Sequence, residues 1–196
     1  MNVKLYGLQR SCTNYAAWLL DTNFREARTW HDGGAWKHSP MPVTLSRMDG
    51  YALCHKNPYA WVDSFIRYQE AKGLVVAPLP AFIDRWNTAS AAYLEFAEMT
   101  PFAVTIRHES LLMDLDGELD RIGARLDIER EPRMVEMPCE MWRGGDNMRH
   151  AITGAAFDPA YYTSGQYLKR YTPDDLEAFS SGLDAATMRR LNYEVL

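Results

Sequence analysis

Apolar residues along this chain follow two spacings that alternate from the amino terminus onward. Short apolar runs rich in β-branched and aromatic residues predict buried strands at residues 3–8, 51–55 and 102–106. Apolar residues three and four positions apart predict helices from Tyr15, after Pro58, over 81–98 and over 111–126. The chain therefore alternates strands with helices over its first two thirds.

Two other stretches lack a long periodic pattern. Residues 30–49 contain Gly33, Gly34 and two prolines, and this turn chemistry predicts a loop. From Asp158 onward short apolar series predict closing helices, one of them starting at Thr172, which precedes a proline and two aspartates.

Strands that alternate with helices are typical of an α/β fold with a central parallel sheet flanked by helices. Such sheets bind ligands beyond the carboxyl ends of their strands, so the loop after the first strand is expected at the site. The 196 residues, 47% of them hydrophobic, suffice for one sizeable core, and no repeat or linker divides them. We expect a single domain over residues 1–196.

Charge and cysteine content exclude several classes of protein. The net charge of −5 argues against a general nucleic-acid binder, which needs a basic face. The three cysteines are widely spaced and odd in number, so neither a disulfide framework nor a zinc site is indicated. No apolar run is long enough to cross a bilayer and no signal peptide is evident. We expect a cytoplasmic protein without a membrane partner.

The loop over residues 7–14 has the chemistry of an anion site. It lies between a predicted strand and a helix N-terminus, where backbone N–H groups and the helix dipole favour negative charge. Arg10 adds a full charge, and Ser11, Thr13 and Asn14 add side-chain donors. The Lys-Ser/Thr pair of a Walker loop is absent from this loop, which disfavours an ordinary ATPase. The alternative is a plain turn with a capping threonine.

This loop resembles the 5′-phosphosulfate loop of sulfotransferases that use 3′-phosphoadenosine-5′-phosphosulfate (PAPS). The resemblance assigns donor binding to six consecutive residues: Arg10, Ser11, Cys12, Thr13, Asn14 and Tyr15. Arg10 takes the cationic position, Tyr15 stands near the aromatic that stacks on adenine, and Cys12 replaces the family's usual glycine. A side chain at Cys12 demands a different backbone angle or crowds the loop.

A second segment, Lys56-Asn57-Pro58 with Ser64 further along, resembles the family's 3′-phosphate segment. The resemblance places Lys56 at the position of an arginine and Ser64 at the position of a serine, both of which bind the 3′-phosphate. Lysine keeps the charge but loses the bidentate fork of arginine. Without the family, the same residues indicate a helix started by proline beside a solvated lysine.

The third segment, Lys37-His38-Ser39-Pro40, has the place in chain order of the family's Lys-x-His-x-Pro stretch. The resemblance makes His38 the base and Lys37 a group that stabilises charge on the transferring sulfuryl group. A neutral imidazole suits removal of a proton near physiological pH. Without the family His38 is a solvated loop residue, and His31 and Asp32 are rival candidates.

Three weaker features complete the resemblance. His108-Glu109-Ser110-Leu111 resembles the family's Tyr-Glu-Asp-Leu segment, and Arg143 with two following glycines partly matches the lid that grips the 3′-phosphate. Tyr161 and Tyr162 are candidates for lining an acceptor pocket.

The resemblance implies a P-loop-like fold and transfer of a sulfuryl group from PAPS to a hydroxyl, with an amine as second choice. His38 would take the acceptor proton and Arg10 would stabilise the leaving phosphate of adenosine 3′,5′-bisphosphate (PAP). No metal is required. The acceptor is expected to be a small molecule or carbohydrate. Two alternatives stay open, namely a PAP- or PAPS-binding module without transfer activity and a P-loop phosphoryl transferase.

Overall fold

The computed structural model describes residues 1–30, 35–131 and 158–196. Its four strands form one sheet in the order β2-β1-β3-β4, and every neighbouring pair is parallel. The strands are β1 (Asn2–Gly7), β2 (Arg28–Trp30), β3 (Gly50–His55) and β4 (Ala103–Arg107). The predicted α/β class with a central parallel sheet is confirmed.

Helices connect and cover the strands. The helices between strands are α1 (Thr13–Asn23), α2 (Pro58–Ala71) and α3 (Leu79–Met99), and α4 (His108–Met113) and α5 (Leu115–Leu126) follow β4. The carboxyl-terminal part contains α6 (Pro159–Thr163), a 3₁₀ helix (Gln166–Arg170), α7 (Pro173–Gly182) and α8 (Ala185–Arg190). In the described residues no helix combines the length and apolar character that a membrane span needs.

The sheet is covered on both faces, because nearly all residues of its central strands are buried, as in other parallel sheets. Lys4 is buried with them and donates a hydrogen bond to the Ala35 carbonyl. Leu5 and Ala52 point to a core formed with α1 and α5, whereas Tyr6 and Leu53 point to a larger core formed with α2, α3 and the carboxyl-terminal helices. Burial of each large apolar side chain contributes about 2 kcal/mol to stability. Two apolar faces therefore hold the strand ends in fixed positions.

The structure confirms the three predicted strands and adds one. Strand β2 has only three residues and is partly exposed, so no alternation in the sequence marks it. The single helix predicted over 111–126 is instead two helices that meet at Asp114. The Asp114 side chain accepts a hydrogen bond of 3.0 Å from the Gly117 backbone N–H and starts a new helix there. The predicted start at Thr172 is confirmed by a reciprocal capping box with Asp175.

Candidate functional site

Three strands end at one edge of the sheet. Parallel register pairs Gly7 with Cys54, and His55 with Arg107, so the residues that follow β1, β3 and β4 are close in space. The central part of the loop predicted to bind phosphate, residues 8–12, follows β1 and is called the phosphate loop below. Lys56 follows β3. Carboxyl ends of parallel strands are the usual position of ligand sites in this class of fold.

The phosphate loop turns sharply and packs against the end of β1. Arg10 and Cys12 have φ angles of 72° and 67°, in the left-handed region. The Ser11 hydroxyl donates to the Leu8 carbonyl at 2.6 Å, so this side chain holds the loop closed. A Cβ at Gly7 would lie 2.6 Å from Ser11 Oγ and 2.9 Å from Cys54 Cβ. Only glycine fits at this position, and the tight turn presents the N-terminus of α1 at the sheet edge.

Cys12 lies directly before α1 and offers it no side-chain cap. A left-handed conformation costs a residue with a Cβ about 1–2 kcal/mol. The backbone angle therefore explains why glycine is usual at this position of the family loop. A hydrogen bond with Cys54 and burial together raise the pKa of the Cys12 thiol, so it is a poor nucleophile near neutral pH.

Arg10 has no carboxylate partner in the part of the chain that the structure describes. Its Nε atom is buried without a hydrogen-bond partner, and its guanidinium lies 5.6 Å from the centre of the Tyr68 ring. Burial and the nearby charge of Arg67 lower the pKa of Arg10. A half-buried cation that lacks a counter-charge favours an anionic ligand.

Lys56 and Ser64, the two residues predicted to bind one phosphate, lie close together. Lys56 Nζ donates to Ser64 Oγ at 2.7 Å, and both residues are buried. Asn57 caps α2 through its side chain, and its own N–H donates to Glu109 Oε1 at 3.0 Å. Burial lowers the pKa of Lys56. Glu109 therefore holds the start of α2 in position, which is a structural role.

Arg67 and Tyr162, which were not predicted to bind the donor, also lie beside Lys56 and Ser64. Arg67 lies one helical turn beyond Ser64 on α2, and its Nη2 lies 3.4 Å from the hydroxyl of Tyr162. The ring centre of Tyr162 is 4.0 Å from Lys56 Nζ. Burial alone would raise the pKa of Tyr162, but Lys56, Ser64 and Arg67 outweigh it and lower that pKa. Tyr162, expected to line an acceptor pocket, thus contacts the Lys56–Ser64 pair.

Arg10, Lys56 and Arg67 form what we call the cationic cluster. Their charges act on one another, because Arg67 lowers the pKa of Arg10 and Arg10 lowers that of Lys56. Of these three residues, only Arg67 makes an ion pair within the described part of the chain, with Asp63 at 3.0 Å. In a chain with a net charge of −5, this concentration of positive charge at the sheet edge is local.

Lys37 and His38 lie against the other side of the phosphate loop. Lys37 Nζ donates to Asn14 Oδ1 at 2.8 Å, and the Lys37 carbonyl accepts from the Gly7 N–H at 2.9 Å. His38 Nδ1 lies 2.7 Å from the Gly7 carbonyl oxygen. A carbonyl can only accept, so Nδ1 carries the proton and Nε2 is the nitrogen that can take one. The arrangement fixes the tautomer that a base needs.

The remaining predicted site residues have less direct positions. Thr13 is buried at the first turn of α1, and Tyr15 is 7% exposed and stacks on Trp18 at 6.2 Å. A platform for adenine at Tyr15 stays a prediction. Arg143, His31 and Asp32 lie outside the described residues.

No protein-family model and no curated protein matches the chain. Among solved structures it is similar to a sulfotransferase domain from the curacin biosynthetic pathway, with 20% sequence identity and a TM-score of 0.39. The match covers 74% of this chain and 53% of that one, so the chain spans about half of the structure it matches. At that similarity the match carries no argument about activity, which depends on the residues described above.

Proposed function

We propose that the chain is a PAPS-dependent sulfotransferase that transfers the sulfuryl group to a hydroxyl, or as second choice an amine, of a small-molecule or carbohydrate acceptor. The observation that carries the proposal is the cationic cluster at the sheet edge, beside a tight strand-to-helix loop. In it neither Arg10 nor Lys56 makes an ion pair within the described ranges, although burial, which lowers the pKa of Lys56, is partly opposed by the charge of Glu109. PAPS carries anionic groups at both its 5′ and 3′ ends, and the two predicted segments meet here.

The two ends of the donor are assigned to different parts of the cluster. The phosphosulfate would bind Arg10, the N–H groups of the phosphate loop and the N-terminus of α1. The 3′-phosphate would bind Lys56 and Ser64, which already lie 2.7 Å apart. Asn14 and Lys37, joined by a 2.8 Å hydrogen bond, border the loop on the side of His38.

The chemistry needs one proton acceptor and cations for the leaving group. The acceptor oxygen attacks sulfur, the bond between sulfur and the bridging phosphate oxygen breaks, and PAP leaves with the electron pair. His38 Nε2 takes the acceptor proton, because Nδ1 donates to the Gly7 carbonyl. Arg10 stabilises the charge that grows on the departing phosphate, and Lys37 stabilises charge on the transferring sulfuryl group. Each step is thus assigned to a side chain of this protein.

Release of PAP from PAPS in the presence of a panel of phenols, alcohols, amines and sugars tests this assignment. We expect the His38→Ala variant to lose about 10²–10⁴-fold in turnover while its affinity for PAP is unchanged. Met41→Ala, an exposed change in the same loop, is the control and is expected to retain turnover. Equal turnover in the His38→Ala variant and the wild type would contradict the role of His38.

A second candidate is a PAP-binding module without transfer activity. Cys12 in a left-handed conformation and the Tyr162 ring over Lys56 favour it, because both alter the predicted donor site. This candidate predicts PAP binding but no turnover with any acceptor, in wild type as in variants. A phosphoryl transferase, the remaining alternative, predicts binding of ATP with magnesium instead.

A further inference from the structure

The ring of Tyr162 covers the pair of residues predicted to bind the 3′-phosphate. Its centre is 4.0 Å from Lys56 Nζ, and the His108 ring meets it edge-on at 4.9 Å. Tyr162 belongs to α6, more than 90 residues further along the chain than Lys56 and Ser64. Lys56, directly after β3, and Ser64, on α2, lie beneath the ring. Helix α6 therefore covers this part of the sheet edge.

The hydroxyl of Tyr162 lies where an anion would be favoured. Arg67 Nη2 is 3.4 Å from it, and both Lys56 and Ser64 interact with the phenol. A phenol oxygen beside a lysine, an arginine and a serine hydroxyl has partners that also suit a phosphate oxygen. The Lys56 ammonium also makes a cation–π contact with the face of the ring.

Helix α6 packs on the larger core through the partly buried rings of Tyr161 and Tyr162 and is joined to α2 by polar contacts. None of its residues is fully buried. The buried carboxylate of Asp63 accepts from the Tyr161 hydroxyl at 2.9 Å and pairs with Arg170 at 3.1 Å, and both partners flank Tyr162 along the chain. Because no α6 side chain is fully buried, the Tyr162 ring can leave its position by a local rearrangement that needs no global unfolding.

We propose that Tyr162 is a built-in occupant of the 3′-phosphate position, which the donor displaces when it binds. Arg67, released from the Tyr162 hydroxyl, then joins Lys56 as a second cation for the phosphate. The inference rests on the proposed function, because it takes the ligand to be a nucleotide with a 3′-phosphomonoester. Tyr162 thereby lowers the affinity for every such nucleotide and leaves nucleotides without a 3′-phosphate unaffected.

Calorimetric titration of PAP and of 5′-AMP, which lacks the 3′-phosphate, tests the proposal on wild type and two variants. In Tyr162→Ala the phenol no longer competes, and we expect PAP to bind about 10-fold more tightly, from the loss of a cation–π contact and a hydrogen bond. Tyr162→Phe keeps the ring and is expected to gain less. The affinity for 5′-AMP is expected to be the same in all three proteins.

An independent measurement uses the wild-type fold. With tyrosines labelled at ¹³Cζ, the Tyr162 signal is identified by its absence in Tyr162→Phe, and saturating PAP should shift it while saturating 5′-AMP leaves it in place. If wild type binds PAP but Tyr162→Ala binds it no more tightly, or the signal does not move, the inference is overturned and the proposed function stands. If no variant binds PAP, both are overturned.

Discussion

The phosphate loop contains a backbone conformation that its own sequence disfavours, and this can be measured at Cys12. The residue has a φ angle of 67° and is buried between the loop and Cys54. Replacing it by glycine relieves the backbone but also removes the thiol. Replacing it by alanine removes the same thiol and keeps the Cβ. The difference between Cys12→Gly and Cys12→Ala therefore isolates the backbone contribution.

The expected size of that difference follows from the conformation. A left-handed residue with a Cβ is disfavoured by about 1–2 kcal/mol, and part of this is offset by the greater entropy of glycine in the unfolded chain. We expect Cys12→Gly to be about 1 kcal/mol more stable than Cys12→Ala, which corresponds to about 2–4 °C in Tm for a chain of this size. The substitution relieves the strain at position 12, and the left-handed backbone at Arg10 is unchanged.

Urea unfolding followed by tryptophan fluorescence gives the two free energies. The control is Ala16→Gly in the interior of α1, where glycine should lower stability because the backbone is helical. If Cys12→Gly proves no more stable than Cys12→Ala, the loop does not hold a left-handed residue at position 12. A left-handed backbone would then not explain why the family that this loop resembles usually has glycine at the position of Cys12.

Two further predictions concern buried carboxylates. Burial alone would raise the pKa of Glu109, but His108, the Asn57 N–H and the Tyr193 hydroxyl lower it from 4.5 to about 2. Its contribution to stability is thus present above its ordinary pKa and is lost as pH falls toward 2. That contribution is about 3 kcal/mol. The free energy of unfolding should therefore fall less steeply between pH 5 and 2 in Glu109→Gln than in the wild type. An unchanged slope would contradict a lowered pKa at Glu109. Asp63→Asn should lower the free energy of unfolding, measured in urea, by about 2 kcal/mol, because the half-exposed guanidiniums of Arg67 and Arg170 lose their counter-charge. No loss of stability would mean that the Asp63 carboxylate does not help to hold the carboxyl-terminal helices on α2.

Much of the fold could be predicted because its signals are local. β3 is an apolar run up to His55, β1 is apolar over residues 3–7 except for the buried Lys4, and the α2 start at Pro58 follows from residues within one turn of it. The loop after β1 could be located because a strand, polar residues and a helix follow one another directly. The family resemblance assigned Lys56 and Ser64 to one phosphate, and these two side chains lie within hydrogen-bond distance of each other.

The missed features depend on contacts between distant parts of the chain or on very short segments. Tyr162 and Arg67 are 95 residues apart, and no local pattern connects them. Arg67 nevertheless had a local signal, since it shares a helix face with Asp63 and Ser64 at spacings of four and three. β2 has too few residues for a period, and the break at Asp114 depends on one side-chain cap.

Thermal unfolding with PAP, compared with ATP plus magnesium and with 5′-AMP, tests the central claim most directly and requires no knowledge of the acceptor. A ligand that binds only the folded state at about 100 times its Kd stabilises that state by about 2.7 kcal/mol. We therefore expect PAP to raise Tm by about 5–10 °C for this chain length, and the other two additions to raise it less or not at all. A rise only with ATP and magnesium, or no rise with any of them, would contradict a donor site formed by the cationic cluster and the phosphate loop.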